Sequence, residues 1–200
     1  MEENVFNRMA KKYDTEERIE LATVIADEIK KSIAEKQYHS ILDYGGGTGL
    51  VAFQLADRFE KGWIVDASEE MIQVAQAKIE QQQLKHFKAM ECNLAEEDNL
   101  DVYADIIILS LVLLHVPDIE TLLQKLSTRL NPNGILIIAD FDKNEKIQHP
   151  KVHNGFTEAE INQALNHAGL RDTEMHTFHH HGSNIFMNQD ASLFIATGKK

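Results

Sequence analysis

The stretch "ILDYGGGTGL", residues 41–50, decides the fold. An apolar pair leads into Asp43, and four of the five positions from Gly45 to Gly49 are glycine. The apolar lead-in reads as a short buried strand, and "GLVAFQLADRF", residues 49–59, as a helix that follows it at once. Glycines between a strand and a helix let the chain turn sharply and let backbone N–H groups approach a ligand closely. The start of the following helix favours a negative group.

The same unit recurs along the chain. "GWIVDAS" reads as a second strand ended by Ser68 as an N-cap, with Glu69 and Glu70 in the first turn of the helix "EEMIQVAQAKIEQQQ". "KHFKAMECNL" gives a third strand, and the unbroken apolar run "ADIIILSLVLLH" suits a fourth, buried on both faces. Asp118 then caps the helix "IETLLQKLSTRL", and "NPNG" turns the chain into a fifth strand, "ILIIADF". Upstream, Ile19, Ala22, Ile25, Ala26, Ile29 and Ile33 recur at helical spacing. Downstream, "TEAEINQALNHAGL" reads as a helix with Gly169 at its end, and "RDTEMHTFHH" and "ASLFIATGKK" as two last strands joined by a loop around "GSNIFMNQD". Alternating strands and helices predict an α/β fold: a doubly wound, Rossmann-like, mostly parallel seven-stranded sheet with an antiparallel last strand and helices on both faces. One domain over residues 1–200 is expected, with an N-terminal helical lid (1–38), a ligand-binding core (39–142) and a C-terminal helix and strand hairpin (143–200).

The 32 acids against 20 bases give a formal net charge of -12, a repulsive field toward phosphate backbones and anionic membranes. No nucleic-acid partner and no membrane insertion are expected. Cys92 is the single cysteine, so neither an internal disulfide nor a thiolate metal cluster is available, which suits a reducing cytoplasm. The 10 histidines include His149 and His153, four apart, and His176, His179, His180 and His181 near the last hairpin. Adjacent residues in a strand alternate faces, and no cysteine pair or H-E-x-x-H accompanies them, so no metal is expected.

Ligands of such a sheet bind at the carboxyl ends of the strands, beside the first one. Asp66, ending the second strand, is of the kind that accepts hydrogen bonds from both hydroxyls of a ribose. Together these features point to an adenosine-containing cofactor. A dinucleotide fingerprint requires G-x-G-x-x-G, but counting from Gly45 puts Leu50 at the third glycine. The loop reads G-x-G-x-G instead.

"ILDYGGGTGLVAFQLA" resembles the first motif of the class I S-adenosylmethionine-dependent methyltransferases, often "LDLGCGTG", with Gly46 in place of the usual cysteine. "IVDASEEMIQVAQAK", "ECNLAEEDN", "ADIIILSLVLLHVPD" and "LNPNGILIIADF" resemble the family's next four segments in order, with Asn93 where an acid is common. The resemblance implies that Asp43 and the loop Gly45, Gly46, Gly47 and Gly49 hold the amino acid end of the cofactor. Asp66, with Ala67 beside it, would bind the ribose, Met71 would pack near the adenine, and Asn93 and Leu94 would take the adenine edge. Ser110, ending the fourth strand, completes the implied cofactor set. "VFNRMAKKYD", residues 5–14, resembles the segment preceding the sheet in small-molecule methyltransferases of the ubiquinone and menaquinone type, which implies that Tyr13 reaches the methionine moiety from a lid.

The implied activity is methyl transfer from S-adenosylmethionine to a small-molecule acceptor, leaving S-adenosylhomocysteine, by a cytoplasmic monomer or homodimer. His115, just past the fourth strand, is the candidate general base where the acceptor must lose a proton. Two alternatives share the fold: an NAD(P)-dependent oxidoreductase, and a non-catalytic S-adenosylmethionine-binding protein.

Overall fold

The computed structural model describes residues 12–96 and 99–200. Helix α1 (Glu16–Ser32) starts where Thr15 caps it, the Thr15 hydroxyl accepting from the Arg18 N–H. Strands β1 (Ser40–Tyr44) and β2 (Lys61–Asp66) flank the glycine loop, followed by α2 (Glu69–Gln81), β3 (Phe87–Glu91) and β4 (Ala104–Ser110). Then come α3 (Ile119–Thr128), β5 (Leu130–Phe141), α4 (Glu158–His167), β6 (Arg171–Phe186) and β7 (Gln189–Lys199). As expected from sequence, Ser68 and Asp118 cap their helices, and Thr157 forms a full capping box with Glu160 at α4.

The seven strands lie in the order β3-β2-β1-β4-β5-β7-β6. β1 to β5 pair in parallel, and β7 runs antiparallel to both β5 and β6. Alternate strand residues sort onto two cores. Ile41, Ile64, Ile106 and Ile137 face α1 and α2, whereas Leu42, Val65, Ile107 and Leu136 face α3 and α4. Nearly every residue of β4 is buried on one face or the other, which is why its sequence shows no polar alternation.

Three local readings need correction. The segment after the glycine loop is a 3-10 helix over Ala52–Arg58, not an α-helix. Its longer rise, about 2.0 Å per residue against 1.5 Å, lets a short crossover reach the start of β2. "NPNG" lies within β5 as a register shift, pairing passing from Ala104↔Leu130 to Ile106↔Ile135. The last hairpin has no loop around "GSNIFMNQD". β6 and β7 stay paired to Phe186↔Gln189 and turn on Met187 and Asn188, with φ of 51 and 60. Positive φ at both central residues fits the twist of a two-residue hairpin, a geometry the sequence signals only when Asn-Gly or Asp-Gly is present.

Candidate functional site

β1 and β4 are neighbours, but the chain leaves β1 toward β2 on one side and returns through β4 toward β5 on the other. The crevice at that reversal opens into a cavity of about 320 Å³. Its floor is the glycine loop with Asp43. One wall is Ser110 at the end of β4 with Leu111 after it, and the opposite wall is α1, which presents Arg18, Leu21, Ala22 and Ile25. Tyr13 and Met71 complete the rim.

The loop is held to β2 by hydrogen bonds from Gly45 N and Gly46 N to Val65 O (2.7 and 3.1 Å) and from Gly47 N to Asp66 Oδ2 (2.9 Å). Gly47 has φ +54, and a Cβ there would meet nothing within 4 Å, so its surface faces open space. Gly45, at φ +70, is excluded from carrying a side chain twice over, because its Cβ would also lie 2.5 Å from Val112 Cγ2. Gly46 has a different duty. A Cβ at that position would sit 2.8 Å from Asp43 Cγ, so the glycine leaves the room that the carboxyl occupies.

Asp43 is 1% exposed. Burial first, then the neighbouring charge of Asp66, push its carboxyl up to about 7, while the Ala52 N–H bonds to it and opposes the shift. Its Oδ1 has no hydrogen-bond partner among the described residues, and neither has the buried Ser110 Oγ. Two unpaired buried oxygens thus belong to residues lining one cavity. A buried polar atom without a partner costs free energy comparable to a lost hydrogen bond, so both are suited to a ligand with donors.

The other residues expected from sequence divide into two groups. Asp43, Gly45, Gly46, Gly47, Met71, Ser110 and Tyr13 line the cavity, whereas Gly49, Asp66, Ala67, Asn93 and Leu94 do not. Asp66 and Ala67 sit just beyond the loop at the end of β2. Asp66 Oδ1 accepts from Ser68 N (2.9 Å) and Oδ2 from Gly47 N, leaving further lone-pair capacity on both oxygens. Asn93 Oδ1 turns back on Ala95 N (3.1 Å), and the Leu94 N–H donates to the Tyr44 hydroxyl (3.0 Å). His115 ends a short 3-10 turn, Leu113–His115, at the surface and outside the cavity lining, and partial burial of its ring pushes its pKa down. The Tyr13 hydroxyl donates to Glu70 Oε2 (2.7 Å), bridging the N-terminal segment to the start of α2. Most of the lid motif, residues 5–11, lies outside the described residues.

Sequence reasoning missed Arg18 and Thr48. The Arg18 side chain lines the cavity and donates to the Tyr13 carbonyl (3.0 Å). Nothing in the helical periodicity of α1 marks that position, because the docking of α1 across the loop is a tertiary fact. No three of His, Cys, Asp or Glu come together as a metal-sized group among the described residues.

A glycine loop and a buried carboxylate at the switch point of a doubly wound sheet define a nucleotide-fold protein of the Rossmann-like class. The family profile described as "Methyltransferase domain" matches residues 35–188, and the chain belongs to that family. An uncharacterized methyltransferase of Schizosaccharomyces pombe is 26% identical over 160 residues, covering 70% of this chain and 56% of the yeast protein. The ubiquinone biosynthesis O-methyltransferase of Rickettsia typhi is 29% identical over 122 residues, 61% of this chain and 49% of that one. The chain therefore spans about half the length of these curated relatives. Among solved structures, an S-adenosylmethionine-dependent methyltransferase from Aquifex aeolicus superposes with a TM-score of 0.71 at 20% identity, over 98% of this chain and 99% of its own.

Proposed function

We propose that the protein is one methyltransferase domain that transfers a methyl group from S-adenosylmethionine to a small-molecule acceptor by in-line displacement. The observation that carries this reading is the unpaired, fully buried Oδ1 of Asp43, set among glycines at the carboxyl end of β1. A carboxylate there attracts an ammonium group, and the Arg18 guanidinium on the facing wall complements a carboxylate. The amino acid end of S-adenosylmethionine carries both charges, whereas a dinucleotide would place a phosphate against Asp43.

S-adenosylmethionine, when bound, supplies a methyl group already activated on a sulfonium sulfur. The protein's task is then to hold and align. Asp43 and the loop fix the amino acid end, while Leu21, Ile25 and Leu111 exclude water on the remaining side. To Asp66, which ends β2, and Asn93, two residues beyond β3, this reading assigns the ribose and the adenine. His115 is retained as base only for an acceptor that enters from the outer side of the loop after β4. The ubiquinone biosynthesis relative supports a small acceptor. No helix among the described residues is long and apolar enough to cross a membrane, and the single cysteine fits a cytoplasmic setting.

Thermal-shift titrations with S-adenosylhomocysteine and with NAD test the reading. Ligand at about 100 times its Kd stabilises by about 2.7 kcal/mol. A rise in Tm with S-adenosylhomocysteine alone supports it, and a rise with NAD alone refutes it.

A further inference from the structure

Thr48 is the one non-glycine between Gly45 and Gly49, and it is 5% exposed. Its hydroxyl donates to Asp14 Oδ1, and its backbone oxygen accepts from Lys78 Nζ (3.0 Å). Lys78, in the last turn of α2, also pairs with Asp14 Oδ2 and lies 5.9 Å from the centre of the Phe53 ring. The Asp14 and Lys78 side chains are only 11% and 15% exposed. Both oxygens of Asp14 are therefore used, and the pair is shielded from salt far more than a surface pair would be.

Asp14 immediately precedes Thr15, the cap of α1. Whatever holds Asp14 holds the start of the helix that supplies Arg18, Leu21, Ala22 and Ile25 to the cavity. On the other side of Asp14, the Tyr13 hydroxyl reaches Glu70. Three segments far apart in sequence meet at this carboxylate: the N-terminal segment, the glycine loop and α2.

We propose that Asp14, Thr48 and Lys78 form a positioning latch that fastens α1 across the glycine loop and thereby sets how tightly the cofactor is held. The proposal rests on the cofactor reading above. None of the three side chains needs to touch the ligand: Asp14 and Lys78 do not line the cavity floor, and Thr48 lines it while its hydroxyl is committed to Asp14. Removing the charge of either ionic partner leaves the other partly buried and uncompensated, so the start of α1 lifts and the wall opens. The effect falls on escape of the ligand more than on its entry.

S-adenosylhomocysteine binding to the full chain is measured by calorimetry and by stopped-flow dissociation for the parent, Asp14→Asn, Lys78→Met and the double variant. Each single change is expected to raise Kd by roughly five- to 150-fold, through faster dissociation, and the double variant to lose no more than the worse single one. Thr48→Ser keeps parent affinity, and Thr48→Val loses it, which guards against a misfolded ion-pair variant. Parent-like Kd in both single variants overturns the latch, as does full additivity of the two losses or equal affinity for Thr48→Ser and Thr48→Val. A parent that does not bind S-adenosylhomocysteine at all overturns the cofactor reading and the latch with it; a binding parent with unaltered variants overturns the latch alone.

Discussion

The carboxyl ends of β1 and β5 each bury an aspartate, and the two are treated differently. Asp43 and Asp140 are 1% and 0% exposed, and burial pushes both carboxyls up to about 7. Asp140 is answered by backbone: Phe141 N donates to Oδ1 (2.8 Å) and Leu114 N to Oδ2 (3.4 Å). Asp43 keeps Oδ1 unpaired. Equal burial and a similar shift therefore do not mean equal roles. Asp140 pins the turn after β4 to β5, while Asp43 has been left a vacancy in its hydrogen bonding on the side of the cavity.

The contrast breaks most sharply under truncation. Asp43→Ala, assayed at pH 8, is expected to weaken S-adenosylhomocysteine binding by roughly 100-fold with the fold intact, since a hydrogen bond to a charged group is worth about 1.5–3 kcal/mol. Calorimetric affinity equal to the parent's would remove Asp43 from the site. Asp140→Ala should do the reverse. It orphans the backbone donors of Phe141, Leu114 and Leu113 and lowers stability by about 1–3 kcal/mol in urea unfolding, with the Kd of the folded fraction unchanged.

Two pH experiments sharpen the comparison at smaller amplitude. An ammonium group prefers the ionised form of Asp43, so ligand affinity should fall as pH drops through about 7, by at most about tenfold per unit. Asp43→Asn should be weak and flat across the same range. For stability the sign is opposite to that of an ordinary carboxylate. The unfolded chain releases the Asp140 proton near 3.8 and the folded chain only near 7, so the folded state binds the extra proton between these values. Stability is lost as pH rises through that window, by at most about 1.4 kcal/mol per unit. Asp140→Asn should accordingly gain on the parent between pH 5 and pH 7 and keep a constant lead above it; a constant lead throughout would mean that Asp140 titrates normally.

The smallest effect belongs to His115→Ala, which is expected to leave S-adenosylhomocysteine affinity unchanged because His115 lies outside the cavity lining. A loss of turnover with unchanged cofactor affinity would mark it as the acceptor's base.

The sheet was legible because burial writes itself into sequence. Strand β4 reads as an apolar run since both its faces are covered, and the helices α2 and α3 announce themselves with Ser68 and Asp118 at their caps. Turns were less legible. The Met187–Asn188 turn uses positive φ without glycine, and the 3-10 segment after the loop carries the same apolar spacing as an α-helix. In the site, Asp43 and the glycines were readable from one decapeptide because a close ligand approach demands residues without side chains. Arg18 was not, as it stands in no pattern that spacing along the chain could reveal, and although Thr48 lies within the glycine motif, its bond to Asp14 joins segments that spacing does not connect.

By itself the sequence determined the α/β class, the place of the glycine loop and the acids that end β1 and β2, since these depend on local periodicity and on residue types with few substitutes. Only the tertiary structure decided that α1 lies across the loop, that Asp14 meets Lys78 there, and that Asp43 rather than Asp140 keeps an open oxygen. Those facts arise from contacts between segments tens of residues apart, where the packing of whole elements, and not the chain's local preference, chooses each partner.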